Sequence, residues 1–212
     1  MHQRLDDEEV GLLMAKPIHR PHAARGFTLV ELMVTVVLLG ILMAMALPAM
    51  NGWVRNSRIR TVADTLQNGL RLAQAEAVRR SRQTVFSLTA DTNPSDGLTA
   101  VENGANWSVN FIPLLTDETG STFIEGGGLT GLAPDVQITG PATLCFNSLG
   151  RVVGNTSPGT GVTCNAQPAE YRITIPNADR PLRVLVALGG QVRLCDPAKT
   201  LSNAHPDGCP AR

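Results

Sequence analysis

Histidine is nearly absent from this chain. There are four in 212 residues. His2, His19 and His22 precede a long apolar run, and only His205 follows it, in a tail rich in Pro and Gly. A Ser/His/Asp or Cys/His site needs a held, oriented imidazole, and that context offers none. The adjacent acids Asp117 and Glu118 read as a solvated loop and not as a tuned acid/base couple. Catalysis is therefore not expected. Cysteine is missing before residue 145, and no Cys-x-x-Cys occurs anywhere. Zinc and thiol-redox sites are correspondingly disfavoured. The triplet Gly126-Gly127-Gly128 carries no phosphate-loop pattern and reads as a flexible connection. No internal repeat is visible. Net charge is absent too: 18 basic residues balance 18 acidic ones. That excludes a uniformly basic nucleic-acid coat or an acidic tail protein. Only two of the basic residues are Lys, which matches GC-rich codon usage better than selection for phosphate binding.

Apolar residues are plentiful at 43%, enough for a real core. The charge balance is an average over unlike regions. Residues 16–25 hold Lys16, Arg20 and Arg25 without an acid; residues 53–82 hold seven Arg against Asp64 and Glu76. Residues 83–170 hold Arg151 against eight acids. Residues 27–47, FTLVELMVTVVLLGILMAMAL, form a run of 21 residues with one charge, Glu31. At about 1.5 Å per residue a helix of that length spans roughly 31 Å, the thickness of a bilayer core. The three cations before it predict a cytoplasmic N-side. The run continues past Pro48 into an amphipathic pattern, so ordinary secretory cleavage at its end is not expected. A plain signal anchor would explain the length, but not a carboxylate five residues in, which is expensive in lipid and implies a partner.

The string Arg25-Gly26-Phe27-Thr28-Leu29-Val30-Glu31 resembles the class III signal of type IV prepilins and pseudopilins. The resemblance implies cleavage by a prepilin peptidase between Gly26 and Phe27, and N-methylation of Phe27. It also implies that Glu31 meets the new N-terminal amine of a neighbouring subunit and sets filament register. Such pairing neutralises a buried carboxylate. The leader would be residues 1–26. Its acidic stretch Asp6–Glu9 is unlike a basic leader, and Met14 offers an alternative start.

Beyond Gly52, residues Ile59, Val62, Ala63, Leu66, Leu70, Ala73 and Ala77 keep helical spacing and predict one apolar stripe. We expect a helix over 27–82, with 27–48 as its transmembrane half and 49–82 as its amphipathic half, bent by Gly40 or Pro48. The arginines off that stripe, Arg55 to Arg60 above all, are expected to pair between subunits or to meet anionic lipid. From residue 83 the apolar period becomes two, and 83–212 reads as a periplasmic β-sheet domain. Alternation runs through Phe86–Ala90, Trp107–Phe111, Val136–Ile138, Leu144–Phe146, Tyr171–Ile175, Leu182–Val186 and Val192–Leu194. Gly189-Gly190 between the last two marks a hairpin. Segments 91–106 and 116–133 read as loops. The four cysteines, Cys145, Cys164, Cys195 and Cys209, all follow the membrane segment and form an even set, which favours two disulfides. Of three pairings, 145–164 and 195–209 are the most local and are the ones expected; the second would pin the tail from Asp196 onward.

The stretch from Leu144 to Arg151 and the ending from Gly189 to Pro197 resemble the GspH/FimT family of type IV minor pilins and type II secretion minor pseudopilins. The resemblance implies an α+β fold: a long N-terminal helix packed on an antiparallel sheet domain. It implies prepilin peptidase, other minor and major pilins or pseudopilins, and the inner membrane as partners, with no cofactor, metal or small-molecule substrate. Some members bind DNA through a Gly-Arg-x-Arg motif, where this chain reads Gly190-Gln191-Val192-Arg193. Arg193 remains, and Arg180, Arg183, Lys199 and Arg212 could add to a non-sequence-specific phosphate contact. An ordinary solvated strand edge is the expectation favoured, given Gln191. The leading expectation is a FimT/FimU-like minor pilin that primes or caps pilus assembly; the alternatives are a GspH-like type II pseudopilin and a DNA-binding uptake receptor at the pilus tip.

Overall fold

The computed structural model describes residues 26–95, 99–114, 121–155 and 163–211. Residues 1–25 of the expected leader, Asp117, Glu118 and Arg212 lie outside the described residues. The chain divides into two units, one up to Ala44 and one from Met45 onward. Among the described residues, one helix, α1 (Leu29–Arg80), and ten strands make up the regular structure. The strands are β1 (Thr84–Thr89), β2 (Asn106–Phe111), β3 (Phe123–Gly128), β4 (Gln137–Thr139) and β5 (Thr143–Phe146). They continue with β6 (Val152–Val153), β7 (Ala169–Thr174), β8 (Leu182–Val186), β9 (Val192–Thr200) and β10 (Gly208–Cys209).

Helix α1 is shorter than the sequence reading at both ends, and each end has a chemical reason. Thr28 is its N-cap: the Glu31 N–H donates to Thr28 Oγ1 at 3.2 Å, and the Leu32 N–H donates to the Thr28 carbonyl at 3.1 Å. Thr28-x-x-Glu31 is the spacing of a capping box. At the other end Ser81 takes the left-handed conformation, with φ of 51°. The Arg82 N–H then donates to the Ala77 carbonyl and the Ser81 N–H to the Val78 carbonyl, which is a Schellman stop. In the last turn Glu76 accepts from Arg79 at 2.6 Å and Arg80 at 2.8 Å.

These two guanidinium bonds hold the Glu76 carboxyl down at about 2, below its ordinary 4.5. A folded-state value below the unfolded one means the stabilisation is present above about pH 4.5 and is lost as pH falls towards 2. Arg79 is largely solvated, which screens the pair. Glu76→Gln should therefore cost about 1 kcal/mol at pH 7. Denaturant titrations of both chains should converge as pH falls from 4.5 towards 2.

The amphipathic part of α1 buries the predicted stripe completely: Ile59, Val62, Ala63, Leu66, Leu70, Ala73 and Ala77 are all at 0% exposure. It faces two sheets. The first has the order β3-β2-β1-β5-β6 and the second β10-β9-β8-β7-β4. Every pair is antiparallel except β9–β10, which is parallel. One apolar core joins helix and sheets through Phe86, Trp107, Phe146, Tyr171, Ile173 and Val184, among others. The outer face of the first sheet carries a smaller cluster, where Val85 and Ile112 pack with Cys145 and Cys164. Strand β1 is therefore buried on both faces along its whole length.

The expected antiparallel sheet domain is built as two sheets. Two sequence readings need correction. The segment read as a loop with a flexible triple glycine contains β3, registered on β2 with Trp107 opposite Gly127. Glycine is required there because neighbours already fill the side-chain positions. A Cβ on Gly127 would stand 2.6 Å from the Trp107 indole nitrogen, and one on Gly126 would stand 2.5 Å from Pro94 Cβ. Finally, the tail read as starting at Asp196 begins later, because β9 continues through Pro197 to Thr200.

Candidate functional site

Residues 26–44 present their side chains outward. Phe27 is 82% exposed, and Leu29, Met33, Val37, Ile41 and Leu42 are all more than half exposed. An 18-residue window of this stretch reaches a mean hydropathy of 2.5 with nothing covering it. Such a surface in water is unfavourable, so it calls for cover from outside the described residues, by lipid or by protein. Gly26, Phe27 and Thr28 precede the first helical residue. The Gly26–Phe27 bond thus stands outside the helix. Glu31 lies in the first turn, on the exposed stretch.

In the sheet domain, the two family-like motifs come together on α1. Asn147 Oδ1 accepts from the Leu149 and Arg151 N–H groups, both at 3.0 Å, and so shapes the β5–β6 turn. Gly150 ends that turn at φ +72°, and its carbonyl accepts from Gln74 Nε2 at 2.8 Å. The β8–β9 turn docks on the same spot: Val152 N–H donates to the Leu188 carbonyl at 3.0 Å. Gly190, at φ +90°, lies so close that a Cβ there would stand 1.9 Å from the Gly150 oxygen. The two motifs are therefore one three-way junction. Sequence reasoning missed Gln74 and Asn147; the signals were a polar residue beside the apolar stripe and an Asn two residues before a possible Asx turn.

Cys145 is joined to Cys164 and Cys195 to Cys209, with Cα separations of 5.8 and 5.0 Å. The second bridge holds β10 and the turn before it beside β9. Arg193 reinforces it: Nη2 donates to the Pro206 carbonyl at 2.7 Å and to the Gly208 carbonyl at 3.3 Å. Lys199 Nζ donates to Asp207 Oδ2 at 2.5 Å and keeps that carboxyl below its usual range. Arg183 lies 3.2 Å from Glu170. Three of the cations considered for phosphate contact thus have partners within the fold. Arg180 is exposed, and its backbone N–H donates to Asn56 Oδ1 at 3.2 Å. Among the described residues no group of three His, Cys, Asp or Glu could hold a metal.

An open cleft of about 950 Å³ lies between α1 and strands β8 and β9 of the second sheet. Trp53, Asn56 and Arg60 line the helix side, and Asp179, Asp196 and Lys199 the sheet side. Charges of both signs face each other across it. That makes it a surface for a polar protein neighbour more than for a polyanion.

A family model of the prokaryotic N-terminal methylation motif matches residues 21–47. A second, of the type II transport protein GspH, matches residues 62–190. Among characterised proteins, the chain is 35% identical over 92 residues to a type IV major alpha-pilin of Moraxella bovis, covering 43% of this chain and 57% of that one. It is 33% identical over 78 residues to fimbrial protein Q of Moraxella bovis, covering 37% of this chain and 50% of that one. The chain thus spans about half the length of these curated relatives. Among solved structures, the type IV minor pilin FimU of Pseudomonas aeruginosa is 16% identical at a TM-score of 0.47, over 69% of this chain and 95% of that one. The minor pseudopilin EpsH from the Type 2 Secretion System of Vibrio cholerae is 16% identical at a TM-score of 0.45, over 67% and 99%.

Proposed function

The chain belongs to the GspH family of minor pilins and pseudopilins, and on that premise we propose that it is a FimT/FimU-like minor type IV pilin that primes or caps a pilus. The N-terminal methylation motif implies processing by prepilin peptidase and assembly with other pilins or pseudopilins. The observation that carries the proposal is the placement of that motif. Its expected scissile bond precedes the capped start of a helix whose apolar side chains, from Leu29 to Met45, have no cover among the described residues. Cleavage frees an amine, and Glu31 offers the carboxylate that pairs with it in a neighbouring subunit. The subunit is then held in the inner membrane until it enters the filament, with the sheet domain on the periplasmic side. Its work is packing, and no reaction is assigned to it.

A type II pseudopilin is the second reading, favoured by the description of the family model that covers residues 62–190. The two part in a clean deletion strain assayed for pilus-dependent DNA uptake and for exoprotein secretion. Loss of uptake with secretion intact is the expected result. Loss of secretion alone would assign the chain to the secretion system. Direct DNA binding has less support, because Arg193, Lys199 and Arg183 already bind groups of the fold. Its test is a salt titration: phosphate contacts would give steep salt dependence that Arg193→Ala reduces.

A further inference from the structure

The junction of the two turns on α1 displays apolar side chains that the described fold leaves uncovered. Val78 is 51% exposed, Leu149 76% and Leu188 44%. They surround one point: Gly190 abuts the Gly150 oxygen, Val78 flanks Gly150, and the Leu188 carbonyl accepts from the Val152 N–H. All of them lie in the unit from Met45 onward. The display is rigid. Asn147 ties the first turn, Gln74 ties that turn to the helix, and the second turn has no room to move past Gly150. Apolar side chains carried on fixed turns lose little freedom on binding, which suits them to a docking surface.

The charges around these side chains are mostly of one sign. Residues 71–82, 147–152 and 187–193 hold six arginines against one acid, Glu76. That acid is already shared by Arg79 and Arg80. Arg151 is exposed and forms no ion pair with another described residue. A cationic rim selects an acidic partner, and the apolar centre selects one with apolar surface of its own. A polyphosphate would give the three apolar side chains nothing to pack on. A second copy is a poor match. Among the described residues, Glu102 has the exposed Val101 beside it and Asp135 the exposed Leu132, a single apolar side chain each. We propose that Val78, Leu149 and Leu188, with Arg151 on their rim, form the docking surface for an acidic, partly apolar face of a neighbouring pilin. This inference rests on the reading of the chain as a filament subunit.

The test uses the full chain in cells. A photo-crosslinking amino acid in place of Leu149 should join the chain to another pilin, identified by mass spectrometry of the adduct. Leu149→Asp and Arg151→Glu change exposed side chains, so the unfolding midpoint and the amount in the membrane should match the wild type. Each variant should nonetheless be depleted from sheared filaments by about tenfold, the order expected for losing one buried leucine or reversing one charge of the contact. Incorporation of both variants at the wild-type level overturns the surface and leaves the filament reading intact. An adduct of twice the chain mass, an adduct with nucleic acid, or no adduct at all overturns the pilin partner. Absence of the unaltered chain from filaments overturns the filament reading, and this surface with it.

Discussion

Gly190→Ala should unfold or nearly unfold the sheet domain, with a loss of about 4 kcal/mol. Two costs combine. The residue sits at φ +90°, a conformation that L side chains rarely adopt. Its new methyl would also stand 1.9 Å from the Gly150 carbonyl oxygen, which is backbone and cannot swing aside. The same methyl would displace the Gln74 amide, 2.4 Å away, from the bond it donates to that oxygen. Neighbouring glycines serve as controls. Gly189 is exposed and a Cβ there meets nothing within 4 Å, so Gly189→Ala should stay within about 0.5 kcal/mol of wild type. Gly150→Ala falls between, at about 1–3 kcal/mol, because its φ of +72° is unfavourable but its Cβ would meet only the flexible Gln74 and Val78 side chains. Denaturant titrations followed by near-UV circular dichroism should rank the three as Gly190, then Gly150, then Gly189. A Gly190→Ala chain as stable as Gly189→Ala would remove the junction as the reason for the Gly-Gly pair.

That junction also marks where reading the sequence stops. The buried stripe from Ile59 to Ala77 was legible because helical period and apolarity coincide, and every residue in it is buried. Strands such as β1, β7 and β8 were legible for the same reason at period two. Strand β3 was not, since its last three residues are glycines and a strand without side chains has no period. Its reason lies in Trp107 and Pro94, distant in sequence and visible only once folded. The division into two sheets was hidden because alternation marks which face is buried but not which strand is the neighbour. The Gly-Gly pair was legible as a turn, but the demand on Gly190 comes from Gly150, forty residues earlier. Arg193 was legible as a charge at a family-like position. Its partners are backbone carbonyls of Pro206 and Gly208, and a carbonyl has no signature in sequence.

At the N-terminus, two substitutions should separate processing from assembly. A Cβ on Gly26 meets nothing within 4 Å, so a side chain there costs the fold nothing. Gly26→Leu should nonetheless abolish cleavage, because the obstacle would lie in the peptidase and not in this chain. The result is a precursor that keeps its leader, read by intact mass, beside a sheet domain whose unfolding midpoint is unchanged. Efficient cleavage of Gly26→Leu would place the scissile bond elsewhere. Glu31 needs a finer substitution, since it occupies the third position of a helix capped by Thr28. Glu31→Ala would remove both a side chain suited to that helix position and its charge. Glu31→Gln keeps a residue that serves in a capping box and removes only the charge. If the charge pairs with a neighbour's N-terminal amine, Glu31→Gln should be cleaved and membrane-inserted normally yet be depleted from sheared filaments by at least about tenfold, the factor for the loss of about 1.4 kcal/mol. Incorporation of Glu31→Gln at the wild-type level, with Glu31→Ala excluded, would instead assign Glu31 to the helix start. The carboxylate would then be a cap that happens to lie in lipid, and the energetic case for its pairing across subunits would be gone.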